Sequence, residues 1–147
     1  MRVSYSWLRQ LVKSRDSVEE IAESLSMAGF EVEGLIDLSK NAQGVVVGYI
    51  EETNKHPNAD KLTVCKVNVG KEKSLQIVCG ARNVKVNTHV AVALIGTFLP
   101  RKNLKIKKSQ LRGIESEGMI CSLEEIGLSS EEDGIVILDT QIEDLPP

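Results

Sequence analysis

A mainly β fold, a small five-stranded barrel led in by a short helical segment, is what this sequence predicts, and three features predict it. The apolar spacing changes from a period near 3.6 to a period of 2 at about residue 44. Five strand-like runs then follow, set apart by turn signals such as Pro57-Asn58, Gly70 and Gly80. A hydrophobic share of 41% with a charged share of 27% belongs to a chain that buries a core, not to one that stays disordered.

Ahead of the change in period, Trp7, Leu8, Leu11 and Val12 fit a short helix capped by Ser4 or Ser6. Ser17, with Glu20 three residues on, makes a capping box, and Val18, Ile21, Ala22, Leu25 and Ala28 form one apolar stripe that Gly29 ends. Phe30-Glu31-Val32-Glu33 alternates like a strand. Two such short helices cannot enclose a core, so residues 1–40 are expected to form a helical segment that packs on something else, with the barrel domain over 41–147. The strand candidates of that domain are residues 45–52, 62–69, 75–79, 89–94 and 134–138. The second slips in phase: Leu62 and Val64 share one face, while Cys65, Val67 and Val69 share the other, as in a curved strand with a bulge or one buried on both faces at one end. Ser122 with Glu125 is a second capping box, closed by Gly127, which puts a short helix before the last strand. Five strands with a late helix point to the oligonucleotide-binding (OB) fold, since a β-sandwich would need more strands.

Charge is sorted along the chain. From Lys55 to Arg112 there are 13 Lys/Arg against two acids, Asp60 and Glu72. The first 54 residues carry 5 basic and 9 acidic groups, and residues 113–147 carry none and 10. A net charge of −3 therefore conceals a basic middle, the electrostatic footprint of a polyanion binder. The plain alternative is a solvated surface of lysines. No apolar run is long enough to cross a bilayer and no apolar signal follows Met1-Arg2, so a cytoplasmic protein without membrane contact is expected. Cys65, Cys79 and Cys121 are odd in number and contain no C-x-x-C pair. With His56 and His89 they lack zinc-ligand spacing, and buried free thiols in a reducing compartment account for them better.

Two segments could carry function. In His56-Pro57-Asn58-Ala59-Asp60-Lys61-Leu62, Pro57 restrains His56 to an extended shape, and Asn58 or Asp60 can bond back to nearby amides. The ordered loop would aim Lys55, His56 and Lys61, or Asn58 and Asp60 would simply cap a turn. No serine or cysteine nucleophile with an orienting group accompanies His56, so catalysis is not expected. In the second segment, Lys105 and Lys107 share one strand face, with Ile106 and Lys108 on the other, and Arg112 follows. Such cations would line one wall of a groove suited to a phosphate backbone. Ser116 and Gly118 continue it, with Met119 and Ile120 assigned to the core. Phe98 is the sole aromatic between Lys55 and Arg112. Single-strand binders present several stacking faces, so recognition of backbone and shape in a folded RNA fits better.

These two segments, His56 to Leu62 and Lys105 to Cys121, resemble the tRNA-binding domain of several translation proteins, among them the C-terminal domain of some methionine–tRNA ligases, free dimeric tRNA-binding proteins and cytokine-like eukaryotic auxiliary factors. Ile77-Val78-Cys79-Gly80-Ala81, Leu111-Arg112-Gly113-Ile114-Glu115-Ser116 and Gly118-Met119-Ile120-Cys121-Ser122 resemble one branch, the β chain of bacterial phenylalanine–tRNA ligase. Val3-Ser4-Tyr5-Ser6-Trp7-Leu8 and Ala28-Gly29-Phe30-Glu31-Val32-Glu33 resemble the opening of that chain. Arg82 departs from the branch, which commonly has proline before Asn83, and adds a cation beside the basic block. That β chain is several times longer, so the sequence reads as its N-terminal fragment. The resemblance implies a non-catalytic tRNA-binding module of an aminoacyl-tRNA synthetase, a ligase of protein biosynthesis. The parent would use ATP and Mg2+ as an α2β2 tetramer, with its catalytic core in the α subunit and no cofactor in this part. The RNA contacts expected are Lys55, His56, Asn58, Lys61, Arg82, Lys105, Lys107, Lys108, Arg112 and Ser116. Two other readings stand beside it. One is a protein-interaction domain whose cations face an acidic partner, or the ten acids after Arg112. The other is a free-standing tRNA-binding chaperone, against which the N-terminal helices argue.

Overall fold

The computed structural model describes residues 1–128 and 133–140, and the chain divides into two compact units, Met1–Asp37 and Leu38–Pro147. In the first unit, helix α1 (Tyr5–Leu11) starts at Ser4, whose hydroxyl accepts from the Trp7 amide. Helix α2 (Val18–Met27) starts at the complete Ser17/Glu20 capping box. It ends where Gly29 turns to φ +91°, with the Phe30 amide donating to Leu25 O and the Gly29 amide to Ser26 O. That pair of bonds satisfies the last carbonyls of the helix. Neither helix fully buries a residue, and Trp7, Leu11, Phe30 and Ile36 are more than half exposed. Phe30–Glu33, expected as a strand, joins no ladder among the described residues.

The second unit is a mainly β, nearly closed barrel. Strands β1 (Val45–Lys55), β2 (Thr63–Asn68), β3 (Leu75–Cys79), β4 (His89–Leu94), β5 (Phe98–Leu99), β6 (Leu104–Lys105), β7 (Ser109–Leu111), β8 (Ile114–Ser116) and β9 (Gly118–Ile120) follow in order. β3, β2, β1, β4 and β9 form one antiparallel five-stranded sheet in that spatial order. The seam between its two edges is pinned at Gln76 and Val78. The Glu117 amide donates to Gln76 O at 2.8 Å, the Gln76 amide to Glu117 Oε2 at 3.2 Å, and the Val78 amide to Ser116 Oγ at 3.1 Å.

Two apolar clusters fill the unit, and β4 lies between them. Val90 and Val92 point into one with Ile50, Cys65, Val67, Ile77 and Ile120, while Ala91 and Ala93 point into the other with Leu99, Ile106, Cys121 and Val136. A strand buried on both faces reads as a continuous apolar run, which is how His89–Leu94 reads. Gly48 on β1 lies against the first cluster; a Cβ there would sit 2.6 Å from Val92 Cγ2 and 2.8 Å from Val67 Cγ1, so only glycine lets the strands approach.

The structure moves three expected features. The irregularity expected in β2 lies in its partner β1, where the register shifts between Ile50 and Glu52. The helix expected at Ser122–Gly127 is a single capped turn: the Ser122 amide meets Glu125 Oε2 and the Glu125 amide meets Ser122 Oγ, but no helix extends from it. The fifth strand of the sheet is Gly118–Ile120, ahead of that turn and not after it. Residues 134–138 form no strand: Gly134 has φ +114°, Leu138 begins the 3-10 turn Leu138–Thr140, and the partners of the segment are the Asn83 side chain, which both donates to Ile135 O and accepts from its amide, and Cys121 O, which accepts from the Val136 amide. A single bridge, Val90 to Ile137, joins them to β4.

Candidate nucleic-acid interface

The loop between β1 and β2 is closed on itself by the His56 amide donating to Leu62 O at 3.1 Å and the Leu62 amide donating to Ala59 O at 3.1 Å. β7 and β8 form a hairpin with a two-residue turn, Arg112-Gly113, in which both residues have positive φ, +49° and +94°. Turns of that hand match the twist of the flanking strands, and Gly113 is suited to the geometry where Arg112 is strained by it. Two side chains of the loop hold the hairpin tip: His56 Nε2 lies 2.9 Å from Leu111 O, and Asn58 Nδ2 donates to Arg112 O at 3.2 Å. Lys55, Lys61 and Arg112 are therefore carried on two connected loops, all three exposed.

Beside the hairpin lies a groove of about 550 Å³. The end of β3 and the following Gly80-Ala81, together with Gly118 and Met119, contribute small or apolar lining; Lys105, Lys107, Ser109 and Leu111 line it from the segment 104–111. Ile106 is buried between exposed Lys105 and Lys107, the alternation expected of them. Arg82 is exposed in the turn that follows Ala81. Among the described residues, Lys55, Lys61, Arg82, Lys105, Lys107 and Arg112 enter no ion pair.

Three expected contacts are not available in that way. His56 is only 4% exposed, and both ring nitrogens are used: Nδ1 accepts from the Asn58 amide at 3.1 Å, which leaves Nε2 to carry the proton and donate to Leu111 O. Ser116 is 2% exposed, its hydroxyl accepting from the Val78 amide and donating to Gly118 O at 3.0 Å. Both are corrected from ligand contacts to internal ties, because a buried polar atom is satisfied by the fold around it. Lys108 is exposed but lies 2.9 Å from Glu115 Oε2, whose hydrogen bond and charge hold the ammonium above the usual lysine range. Lys66 with Glu52 and Lys102 with Glu124 are likewise paired. The loop-to-hairpin ties were missed in the sequence, and the signal for the hairpin was the Arg112-Gly113 pair between Gln110-Leu111 and Ile114-Glu115. Of the acids after Arg112, Glu131, Glu132, Glu143 and Asp144 lie outside the described residues.

The remaining titratable groups fit a structural role. Cys65, Cys79 and Cys121 are free and buried, and burial pushes the Cys65 and Cys121 thiols up to about 12. Asp139 accepts from the His89 amide and ring, which holds its carboxyl below the usual range. Among the described residues no cluster of three metal-ligating side chains occurs, and no helix is long and apolar enough to cross a membrane.

A small, nearly closed OB-like barrel with unpaired cations on adjoining loops is the architecture of a nucleic-acid-binding domain. The family model of the tRNA binding domain matches residues 45–144, and the chain belongs to that family. Over 146 residues it is 59% identical to the phenylalanine–tRNA ligase β subunit of Parasynechococcus marenigrum, a match covering 99% of this chain and 18% of that protein. The β subunit of Trichormus variabilis is 56% identical over 137 residues, covering 93% of this chain and 17% of that one. The chain thus spans less than a fifth of the length of these curated relatives. Among solved structures, the C-terminal domain of Plasmodium vivax p43 matches with a TM-score of 0.42 and 37% identity, over 52% of this chain and 43% of that one.

Proposed function

We propose that this chain is the tRNA-binding module of a phenylalanine–tRNA ligase β subunit, and that it holds folded tRNA by phosphate contacts from Lys55, Lys61, Arg82, Lys105, Lys107 and Arg112. The observation that carries this reading is the placement of these cations: Lys55, Lys61 and Arg112 stand on two loops tied to each other, Lys105 and Lys107 line the groove, and Arg82 follows its Ala81. None of the six enters an ion pair with a described residue, while Lys66, Lys102 and Lys108 are held by nearby carboxylates; Lys71, Lys73, Lys85 and Arg101 are also exposed and without such a pair but do not line the groove. Cations without a local carboxylate are free to neutralise phosphates and so displace the counterions condensed on a polyanion. The module binds and does not catalyse. In the whole enzyme, ATP and Mg2+ would serve phenylalanine activation in the α subunit of an α2β2 tetramer in the cytoplasm. Residues 1–40 would belong to the body of the β subunit, a reading favoured by the exposure of Trp7, Leu11, Phe30 and Ile36, and residues 41–147 would form the binding domain.

Filter binding of tRNA at several salt concentrations tests the proposal. Lys105→Ala with Lys107→Ala should weaken binding to any folded tRNA and flatten the slope of log K against log salt by about 1.5, two phosphate contacts at roughly 0.7–0.9 each. Lys71→Ala with Lys73→Ala, in the loop between β2 and β3, is the control. Equal losses from the two pairs would mean diffuse charge without a defined site. No loss from either would favour a protein partner for this surface.

A further inference from the structure

We propose that His56 is a positioning residue for RNA binding, a latch that holds the β1–β2 loop against the β7–β8 hairpin so that Lys55, Lys61 and Arg112 act as one phosphate-binding set. The inference rests on the tRNA-binding reading above and concerns how that surface is kept in shape.

The latch is visible in four bonds. The His56 amide donates to Leu62 O, which closes the loop, and its Nδ1 accepts from the Asn58 amide at 3.1 Å, which fixes the ring within the loop. With Nδ1 so used, Nε2–H faces out of the loop and donates to Leu111 O at 2.9 Å. The ring orientation that brings the Asn58 amide inward also sets the Asn58 side chain to reach Arg112 O at 3.2 Å. The two carbonyls taken are consecutive, the last of β7 and the first of the turn, so the loop grips the backbone that presents the Arg112 guanidinium.

The hairpin needs such a grip. All three residues of β7 are exposed, β7 and β8 are only three residues each, and neither core cluster contains Arg112 or Leu111. Arg112 sits at φ +49°, a conformation that a β-carbon disfavours. β8 is tied to β3 by Ser116 and by Gln76 Nε2 donating to Glu115 O at 2.9 Å, whereas the tip, Leu111 and Arg112, is joined beyond the hairpin by the hydrogen bonds from His56 and Asn58. The other charged groups of the two elements are Asp60 on the loop and Lys108 and Glu115 on the hairpin. Lys108 and Glu115 pair with one another within the hairpin, so they do not join it to the loop. The His56 ring is buried and bonds to the Asn58 amide and to Leu111 O, so removing it cuts the tie between the two loops, and a thermal melt reads what the lost packing costs.

The test is a mutant cycle read by tRNA filter binding with this chain, alongside a thermal melt of each variant. His56→Ala and Arg112→Ala should each weaken binding and each flatten the log K against log salt slope by at least about 0.7–0.9, the share of one phosphate contact. The double variant should bind no worse than the weaker single, because the latch acts through the hairpin cation. His56→Gln, whose amide can both donate to Leu111 O and accept from the Asn58 amide, should recover most of the affinity and slope. Asn58→Ala, which cuts only the tie to Arg112 O, should repeat a fraction of the His56→Ala effect and keeps the test open if His56→Ala melts below the assay temperature. Folded His56→Ala with the unaltered affinity and slope would overturn the proposal, and so would additive effects of His56→Ala and Arg112→Ala. If the unaltered chain binds no tRNA, the tRNA-binding reading fails and the positioning role falls with it. If the chain binds and only the cycle fails, the latch alone is wrong.

Discussion

Replacing Ser116 with alanine deletes one hydroxyl at the seam where the barrel closes. Ser116 is 2% exposed, and its Oγ accepts from the Val78 amide at 3.1 Å while donating to Gly118 O. Alanine fits the same space, so no cavity of consequence opens and the loss is one of hydrogen bonding alone. The Val78 N–H stays buried without a partner, which costs about 1–3 kcal/mol, and the half-buried Gly118 carbonyl adds less because water can reach it. For a folding unit of about 100 residues, 2 kcal/mol lowers the melting temperature by roughly 6–12 °C. The assay is a thermal melt by circular dichroism, paired with tRNA binding at a temperature where both proteins are folded. The variant should melt lower and bind tRNA as the parent does, since Ser116 is almost fully buried and both bonds of its hydroxyl are internal. A variant with unchanged melting but weakened, salt-flattened binding would refute this assignment and return Ser116 to the RNA interface.

Further outcomes follow from the same structure. Gly48→Ala should cost about 1–3 kcal/mol in a urea titration, because the new methyl meets Val92 and Val67 side chains that are themselves fully buried. Reductant should leave the melting temperature unchanged, and an aromatic disulfide reagent at neutral pH should label Cys65 and Cys121 only as the protein unfolds, since burial pushes both thiols up to about 12. Rapid labelling of the folded chain would show that the strands open around them. Asp139 has its carboxyl lowered by its hydrogen bonds from His89, so it binds a proton more weakly in the folded chain than in the unfolded one. Its stabilisation is present above the ordinary Asp range and is lost as pH falls through the lowered native value. Stability curves of the parent and Asp139→Asn should therefore be apart at pH 7 and converge below about pH 4; curves that stay parallel would exclude the contact as a source of acid sensitivity.

Local pattern carried the ladder and little of what pins it. Leu75–Cys79 and His89–Leu94 coincide with β3 and β4 because each is a short, largely apolar stretch bounded by turn residues, and both capping boxes, at Ser17 and Ser122, form as their spacing predicts. The fifth strand lies elsewhere than expected because Ile135 and Val136 are buried in the manner of strand residues. Their partners, however, are a side-chain amide 52 residues away and the carbonyl of Cys121. Hydrophobicity reports burial, not whether the neighbouring backbone is a strand. His56 and Ser116 read as ligand contacts for a related reason. Polar residues in loops are mostly exposed, and nothing within a few positions of either reveals an acceptor or donor lying 55 or 38 residues off. The lysines fared better: exposure of Lys105 and Lys107 follows from alternation about Ile106, whereas the Lys108–Glu115 pair depends on the turn at Arg112-Gly113 folding the chain back.

Short strands explain why the pins are side chains. β5 to β9 run to only two or three residues each, so their ladders offer few backbone partners, and buried amides along the seam must be met some other way. Ser116 meets Val78, Glu117 meets Gln76, Asn83 meets Ile135 at both ends, and His56 meets Leu111. Each is a side chain bonded to the backbone of an element remote in sequence. That arrangement leaves the outer faces of the same short segments free of structural duty, and it is there that Lys105, Lys107 and Arg112 stand. A cation on a long regular strand would share its surface with cross-strand neighbours, as Lys66 on β2 does with Glu52 on β1. On these short segments Lys105, Lys107 and Arg112 enter no ion pair with a described residue, whereas Lys108 is met by Glu115 because β7 and β8 fold back on each other.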